Sequence, residues 1–275
     1  MNLSSVILQN PFDLDATVSS GQFFRWRIQG EGYLIQHREN FFYVEHHNDI
    51  LKYHTISGNM NDAEIRRFFG LDDNLDAIFQ RWDSPFLQSV YRKYRGLRLI
   101  RQDPWECTVS FICSMASNIP RITRNIHTLA KRFGTVIQTP NGKIFRLPTP
   151  TQLARVSLAN LYDTGVGFRA KYLYGLARNT PDFGSLQSMD YSEAKTVLLS
   201  VKGIGEKVAD CILLFSLNHL GAFPVDTWIK KALQTWIFPG KTGSPAQLAT
   251  EARNYFGENA GYAQQYLFHH ARTTL

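Results

Sequence analysis

The sequence predicts an α+β protein: an N-terminal antiparallel β-sheet domain with helices over residues 1–96, followed by a mainly α-helical domain over residues 97–275. Short aromatic and β-branched runs separated by turn residues crowd the first part of the chain, whereas helix-start signals recur through the rest and strand-like runs nearly vanish. With 44% hydrophobic residues over 275 positions, the chain can bury a substantial core.

The strands are expected at Phe23 to Ile28, Tyr33 to His37, Phe41 to His46 and Ile50 to Thr55. Gln29-Gly30-Glu31-Gly32, Arg38-Glu39-Asn40 and His47-Asn48-Asp49 separate them, which makes an antiparallel meander. Asn61 and Glu64 form a capping box for a helix ending near Gly70. Helical patterns follow over Asp73 to Trp82 and Ser84 to Tyr94, the latter with Pro85 at its first position. Asp103-Pro104-Trp105-Glu106 combines an N-cap, a proline and a capping-box glutamate, and Pro120 opens a helix that Gly134 closes. Thr149-Pro150-Thr151-Gln152 and Ser244-Pro245-Ala246-Gln247 repeat the device. Between them, Thr135 to Leu147 reads as a polar loop with a Pro140-Asn141-Gly142 turn, and Gly165 and Gly167 place Phe168 at the tip of a bend.

One stretch organises the helical part, Leu198 to Asp226. Asp190 and Glu193 cap a helix that runs into Val201, Gly203 and Gly205 supply the backbone angles of a tight turn, and a second helix begins near Glu206 with Val208, Ala209, Ile212, Leu213 and Phe215 on its buried face. Such a helix, glycine hairpin and helix turns backbone N–H groups outward at a positive helix end, a sequence-blind seat for a phosphate. Lys207 stands in the first turn of the second helix. That helix spans roughly 20 Å at about 1.5 Å per residue, and the extended return to Val225 covers roughly 23 Å, so Asp226 can come back beside the amine. Taken singly, Lys207 also fits a solvated helix-start lysine and Asp226 an ordinary N-cap.

Composition narrows the classes. A formal net charge of +7 favours an anionic partner without identifying it. Cys107, Cys113 and Cys211 fall in helical patterns and read as buried reduced thiols, too few for a four-cysteine iron–sulfur site; no His/Cys/carboxylate spacing suggests zinc. No apolar run approaches a membrane span of about 18 residues, and MNLSSVILQNPFDLD lacks the basic start of a signal peptide, so an intracellular protein is expected.

The run KGIGEKVADCILLFSLNHLGAFPVD resembles the helix-hairpin-helix DNA glycosylase superfamily, and most closely its 8-oxoguanine DNA glycosylase/AP lyase family. SGQFFRWR at Ser20 to Arg27, RLIRQDPWECTVSFICS at Arg98 to Ser114, NIPRIT at Asn118 to Thr123, GVGFRAKY at Gly165 to Tyr172 and YAQQYLF at Tyr262 to Phe268 resemble that family in the same order, over nearly the whole chain. The resemblance implies a bifunctional enzyme that flips 8-oxoguanine out of double-stranded DNA, excises it through an imine on Lys207 and nicks the strand by β-elimination, with Asp226 stabilising positive charge on the sugar. It also implies a base pocket in which the Gly21 carbonyl accepts the N7–H of 8-oxoguanine, Cys211 and Phe268 sandwich the base and Gln264 bonds its pairing edge. For DNA it implies Phe168 and Arg169 as wedge and orphan-strand contact, Asn118 and Arg121 at the estranged cytosine, and Gly203 and Gly205 at the phosphate.

No cofactor and no catalytic metal are implied, although the hairpin carbonyls are a candidate site for a structural cation, as in some relatives. A monomer acting in the nucleoid or the nucleus, away from membranes, is the corresponding expectation. Two positions depart from the family. Ala116-Ser117-Asn118 stands where its vertebrate-like members carry Asn-Asn-Asn, which implies looser selection of the opposite cytosine, and Trp228 stands where a phosphate-contacting histidine often follows the aspartate. A monofunctional glycosylase for alkylated bases would activate water with the aspartate and would not need Lys207, and a noncatalytic hairpin protein would not need both Lys207 and Asp226. A dinucleotide-binding Gly203-Ile204-Gly205 is rejected, because Val208 occupies the third glycine position and a helix precedes the run.

Overall fold

The computed structural model describes residues 3–140 and 142–275. In chain order the elements are β1 (Ser4–Ile7), α1 (Leu14–Ser19), β2 (Trp26–Gln29), β3 (Gly32–His37), β4 (Asn40–His47), β5 (Ile50–Ser57), α2 (Asp62–Phe69), α3 (Leu75–Gln80), α4 (Pro85–Lys93), α5 (Pro104–Ser114) and α6 (Ile119–Phe133). Then come β6 (Val136–Thr139), β7 (Gly142–Phe145), α7 (Pro150–Ala154), α8 (Leu158–Leu161), α9 (Ala170–Arg178), α10 (Phe183–Ser188), α11 (Tyr191–Ser200), α12 (Glu206–Ser216), α13 (Thr227–Ala232), α14 (Pro245–Phe256) and α15 (Ala260–Thr274).

The first five strands form one antiparallel sheet in the order β1-β5-β4-β3-β2, the expected meander with an extra edge strand. β1 escaped the sequence because it is four residues long and buries only Val6. The strand expected from Phe23 starts at Trp26 instead, because Phe23 and Phe24 are spent on two different cores. Phe23 meets Phe68 of α2 edge to face at 5.6 Å, whereas Phe24 meets Phe111 of α5 at 5.9 Å. The helix α1, also unanticipated, is capped by Asp13, whose carboxylate accepts from Ala16 N at 2.8 Å.

The capping signals identify most helix starts. Asn61–Glu64, Thr149–Gln152, Asp190–Glu193 and Ser244–Gln247 form reciprocal capping boxes, and Gly70 closes α2 in the left-handed region. At α5 only half of the expected box exists. Asp103 caps Glu106 N, but the Glu106 side chain turns inward, where its oxygens accept from the Gln36 side chain and from Arg38 N. Arg25 donates to the same Gln36 and, at 2.6 Å, to the Phe145 carbonyl. A buried polar cluster therefore joins β3 to α5.

The expected loop over Thr135 to Leu147 is instead a hairpin, with Val136 paired to Phe145 and Ile137 to Ile144. Ile144 is buried with Leu34 and Phe41, which is what the hairpin gains by folding onto the sheet. Asn141, the centre of the turn proposed there, lies outside the described residues.

The apolar core has two main clusters that interleave along the chain, Ile100 belonging to the first and Phe24 to the second. One cluster lies under the sheet, with Ile35, Phe42, Val44 and Leu51 against Ile65, Phe68 and Phe69 of α2. The other unites α3 and α4 with the helical part: Phe79 stacks on Tyr91 at 4.2 Å and meets Tyr266 of α15 at 4.5 Å, and Trp82 donates to the Phe256 carbonyl at 2.8 Å. No helix among the described residues is long and apolar enough to cross a membrane.

Burial, reinforced by Asp103, pushes the Glu106 carboxyl up to about 8 against the opposing pull of Arg25. Between its ordinary 4.5 and that value the folded chain holds a proton that the unfolded chain has released. Stability from this group is therefore full at acid pH and falls, on the order of a few kcal/mol, as pH rises towards 8. Glu106→Gln lacks this titration, so the melting temperature of the variant minus that of the wild type should grow from pH 5 to pH 8; a difference that stays constant contradicts the assignment.

Candidate active site at the helix-hairpin-helix

Two helices face each other across the site with rows of side chains at helical spacing. Lys207, Cys211 and Phe215 follow one another at i, i+4 and i+8 along α12, and Gln264, Phe268 and Arg272 do the same along α15. These six line one cavity of about 340 Å³. Phe111 and Ser114 of α5, Asn118 and Ile119 at the start of α6, and Pro224, Asp226 and Trp228 complete most of its wall, with Gly21 entering from the N-terminal part. Lys207 and Asp226, nineteen positions apart, thus open into the same space.

The Lys207 amine is held in place. Its Nζ donates to Ser114 Oγ at 3.1 Å and sits 4.7 Å from the centre of the Phe111 ring. The Ser114 hydroxyl in turn donates to the Phe111 carbonyl at 2.7 Å, so its lone pair is what the amine meets. Asp226 is the N-cap of α13, one carboxylate oxygen accepting from Ile229 N at 2.9 Å. Burial pushes the Cys211 thiol up to about 12 although Lys207 pulls it down, so Cys211 presents a neutral surface to the cavity. Gln264 is buried; its Nε2 donates to the Pro224 carbonyl at 3.1 Å, whereas its Oε1 has no partner within the protein. Ser117 Oγ, also on the cavity wall, is likewise unpartnered. Two polar atoms without protein partners at one cavity are what a polar ligand would satisfy.

Gly21 brings the N-terminal part into close contact with α6 and α15. Its φ is +86°, and a Cβ there would lie 2.7 Å from Arg272 Nη1 and 2.9 Å from Ile119 Cδ1. Arg272 donates to the Ser20 carbonyl at 3.0 Å. Only glycine lets this loop reach the cavity.

The hairpin separates its two glycines by role. Gly203, with φ +100°, packs under Tyr172, where a Cβ would fall 2.5 Å from the ring. Gly205 differs from expectation: its φ of −100° and ψ of −179° are open to any residue, and nothing lies within 4 Å of an added Cβ. As the N-cap of α12 it offers no side-chain acceptor, so the first amides of that helix face outward without a side-chain cap.

Asn118 caps α6 through Arg121 N at 3.0 Å, and Arg121 itself is exposed. Phe168 is 46% exposed between Gly167 and Tyr172, as a wedge requires. Arg169 corrects the sequence reading. Its side chain is 1% exposed and donates to the Met115, Ala116 and Val166 carbonyls, so it braces the α5–α6 turn rather than offering a surface contact. That turn needs bracing, because Ala116 holds a φ of +44° without being glycine. Ser114, Phe111, Ser117 and Arg272 were not anticipated as site residues; the i+8 spacing from Gln264 was the legible signal for Arg272.

Fold and site together define a helix-hairpin-helix protein with an amine and a carboxylate in one base-sized cavity. A family model described as the N-terminal domain of 8-oxoguanine DNA glycosylase matches residues 5–108. The probable N-glycosylase/DNA lyase of Methanothermobacter thermautotrophicus is 32% identical, the match spanning 95% of this chain and 94% of that protein. The structure of MBOgg1 in complex with a low affinity DNA ligand has a TM-score of 0.91 at 30% identity over 99% of this chain and 98% of that one. The Clostridium acetobutylicum 8-oxoguanine glycosylase/lyase, in complex with duplex DNA containing cytosine opposite 8-oxoguanine, has a TM-score of 0.88 at 28% identity over 99% and 98%. The chain belongs to the 8-oxoguanine glycosylase family of the helix-hairpin-helix glycosylase superfamily.

The glycine geometry separates two variants. Gly203→Ala should lose about 1–3 kcal/mol of unfolding free energy in urea, whereas Gly205→Ala should stay within about 0.5 kcal/mol of wild type. Equal losses would mean that both positions are constrained by the fold.

Proposed function

We propose that the chain is a bifunctional DNA glycosylase/AP lyase that removes 8-oxoguanine from duplex DNA. The observation that carries this reading is the shared cavity: Lys207 and Asp226 open into it, and Cys211 and Phe268 wall it at a size suited to one everted base.

The everted base enters between Cys211 and Phe268. The Gly21 carbonyl accepts the N7–H that distinguishes 8-oxoguanine from guanine, and the unpartnered Gln264 amide oxygen accepts from the pairing edge. The Lys207 Nζ lone pair attacks C1′ as the bond from C1′ to the base breaks, the base leaving with the electron pair and taking up the proton that Nζ gives up. The nitrogen lone pair then opens the sugar ring, O4′ leaving with the C1′–O pair and taking a proton from water, which gives a protonated imine between Lys207 and C1′. Loss of the C2′ proton then expels the 3′ phosphate by β-elimination. Asp226 stabilises the positive charge that develops on the sugar before the nitrogen takes it over. No cofactor enters these steps.

DNA is held by a different set of groups. The outward amides after Gly205 take a backbone phosphate, and the open space over Gly205 lets that phosphate approach. Phe168 fills the gap left by the flipped base. Arg121 and Asn118 face the orphaned base, and Arg169 supports them through the turn rather than by contact. The partner is duplex DNA in the nucleoid or nucleus, met by a monomer.

Borohydride should trap a covalent adduct between the wild-type chain and an 8-oxoguanine duplex, and Lys207→Gln should abolish it while duplex affinity changes less than about threefold. Base excision by wild type with no trappable adduct would falsify the imine, and an adduct retained in Lys207→Gln would place the nucleophile elsewhere. With alanine at position 116, excision opposite the four bases should differ little, and Ala116→Asn should raise the preference for cytosine several-fold. A wild-type enzyme already strict for cytosine contradicts that assignment.

A further inference from the structure

A second cleft, of about 420 Å³, lies on the other side of α6 from the catalytic cavity. Pro120, Thr123, Arg124 and His127, at i, i+3, i+4 and i+7, turn one face of α6 towards it, while Asn118, Ile119 and Ile122 turn towards the catalytic cavity. Phe24 and Pro120 line both, so only a thin wall separates the two spaces.

The lining has a definite chemistry. Arg25, Arg27, Arg124, His127 and Lys143 supply positive or protonatable groups, and no described residue lining the cleft is acidic. Phe24, Trp26, Phe41 and Phe145 supply aromatic surface between them. Arg27, Arg124, His127 and Lys143 are exposed at the mouth, whereas Arg25 is buried at the back. Partial burial of the His127 ring, and then Arg25, Lys131 and Arg27, hold that imidazole below its ordinary value. Aromatic surface beside guanidinium and ammonium groups suits a planar base carrying a phosphate, and the cleft falls within the about 300–1,000 Å³ of small-ligand sites. A solvated basic helix face alone would lack the aromatic lining.

We propose that this cleft is a second nucleotide-binding site, occupied by a base and phosphate of the DNA strand as it leaves the catalytic cavity around α6. The proposal rests on the reading that duplex DNA is held at that cavity. A nucleotide seated here would fix the strand on both sides of α6, so that Arg121 at the exposed edge of the helix is presented to the orphaned base from a clamped backbone.

Equilibrium dialysis of the full chain against thymidine monophosphate, thymidine and inorganic phosphate tests the chemistry, since a pyrimidine does not match the proposed 8-oxoguanine contacts of the catalytic cavity. The nucleotide should bind saturably and more tightly than either half, and Arg124→Glu combined with Lys143→Glu should weaken it at least tenfold. Arg132→Glu, on the same helix outside the cleft, should leave it unchanged. With an 8-oxoguanine duplex, the double variant should bind at least tenfold more weakly and with a salt slope lower by about two, while its single-turnover excision rate at saturating duplex stays within about twofold of wild type. Nucleotide binding with unchanged duplex affinity overturns DNA as the occupant. Weaker duplex binding without nucleotide binding, or an equal effect of Arg132→Glu, reduces the cleft to a charged surface and overturns the site. The binding arms need no base release, so a chain that fails to excise 8-oxoguanine would fail the catalytic reading separately.

Discussion

The catalytic cavity depends on one strap of hydrogen bonds that fastens the Ser20–Gln22 loop against the helical part of the chain. Gln22 donates to the Arg98 carbonyl at 2.8 Å and accepts from Ile100 N at 2.8 Å, and Gln102 donates to the Gln22 carbonyl at 2.7 Å. Gln102 N then reaches the Phe215 carbonyl of α12 at 2.7 Å, so the loop is referenced to the very helix that carries Lys207. From the opposite side, Arg272 of α15 holds the Ser20 carbonyl. Gln22 is 1% exposed, and removing either partner of such bonds would strand buried polar groups at about 1–3 kcal/mol each. Without the strap, the position of the Gly21 carbonyl in the wall would be set by nothing more than a flexible turn.

Most of the fold was legible because its signals are local. A capping residue and a proline at the first helical position act within one turn, and the structure honours them at α4, α5, α7 and α14, with the proline one residue further in at α6. What the sequence concealed depends on distant partners. Glu106 satisfies the spacing of a capping box, yet its side chain turns to Gln36 and Arg38, seventy and sixty-eight positions away. The β6–β7 hairpin owes its existence to a buried patch on the sheet, and β1 to an edge that another strand offers.

The site shows the same division. Lys207 and Asp226 were legible from spacing, and Gly21, Cys211, Gln264 and Phe268 only through the family resemblance; the structure gathers all six with Asn118 around one cavity. Ser114, the acceptor that meets the amine, carries no signal of its own in the sequence, because a serine at the end of a buried helix more often bonds back to its own backbone. Here it does both, donating to Phe111 and accepting from Lys207. Arg169 departs from the role implied by the resemblance for a related reason: the distant carbonyls of the α5–α6 turn take up its guanidinium.

The central claim is geometric: one base, out of the duplex, lies between Cys211 and Phe268 with its sugar presented to the amine position. A crystal structure of the Lys207→Gln variant with an 8-oxoguanine duplex tests it most directly. The account requires the oxidised base in that cavity, its N7–H on the Gly21 carbonyl and C1′ facing residue 207; a base left stacked in the helix, or lodged anywhere else on the protein, would contradict it.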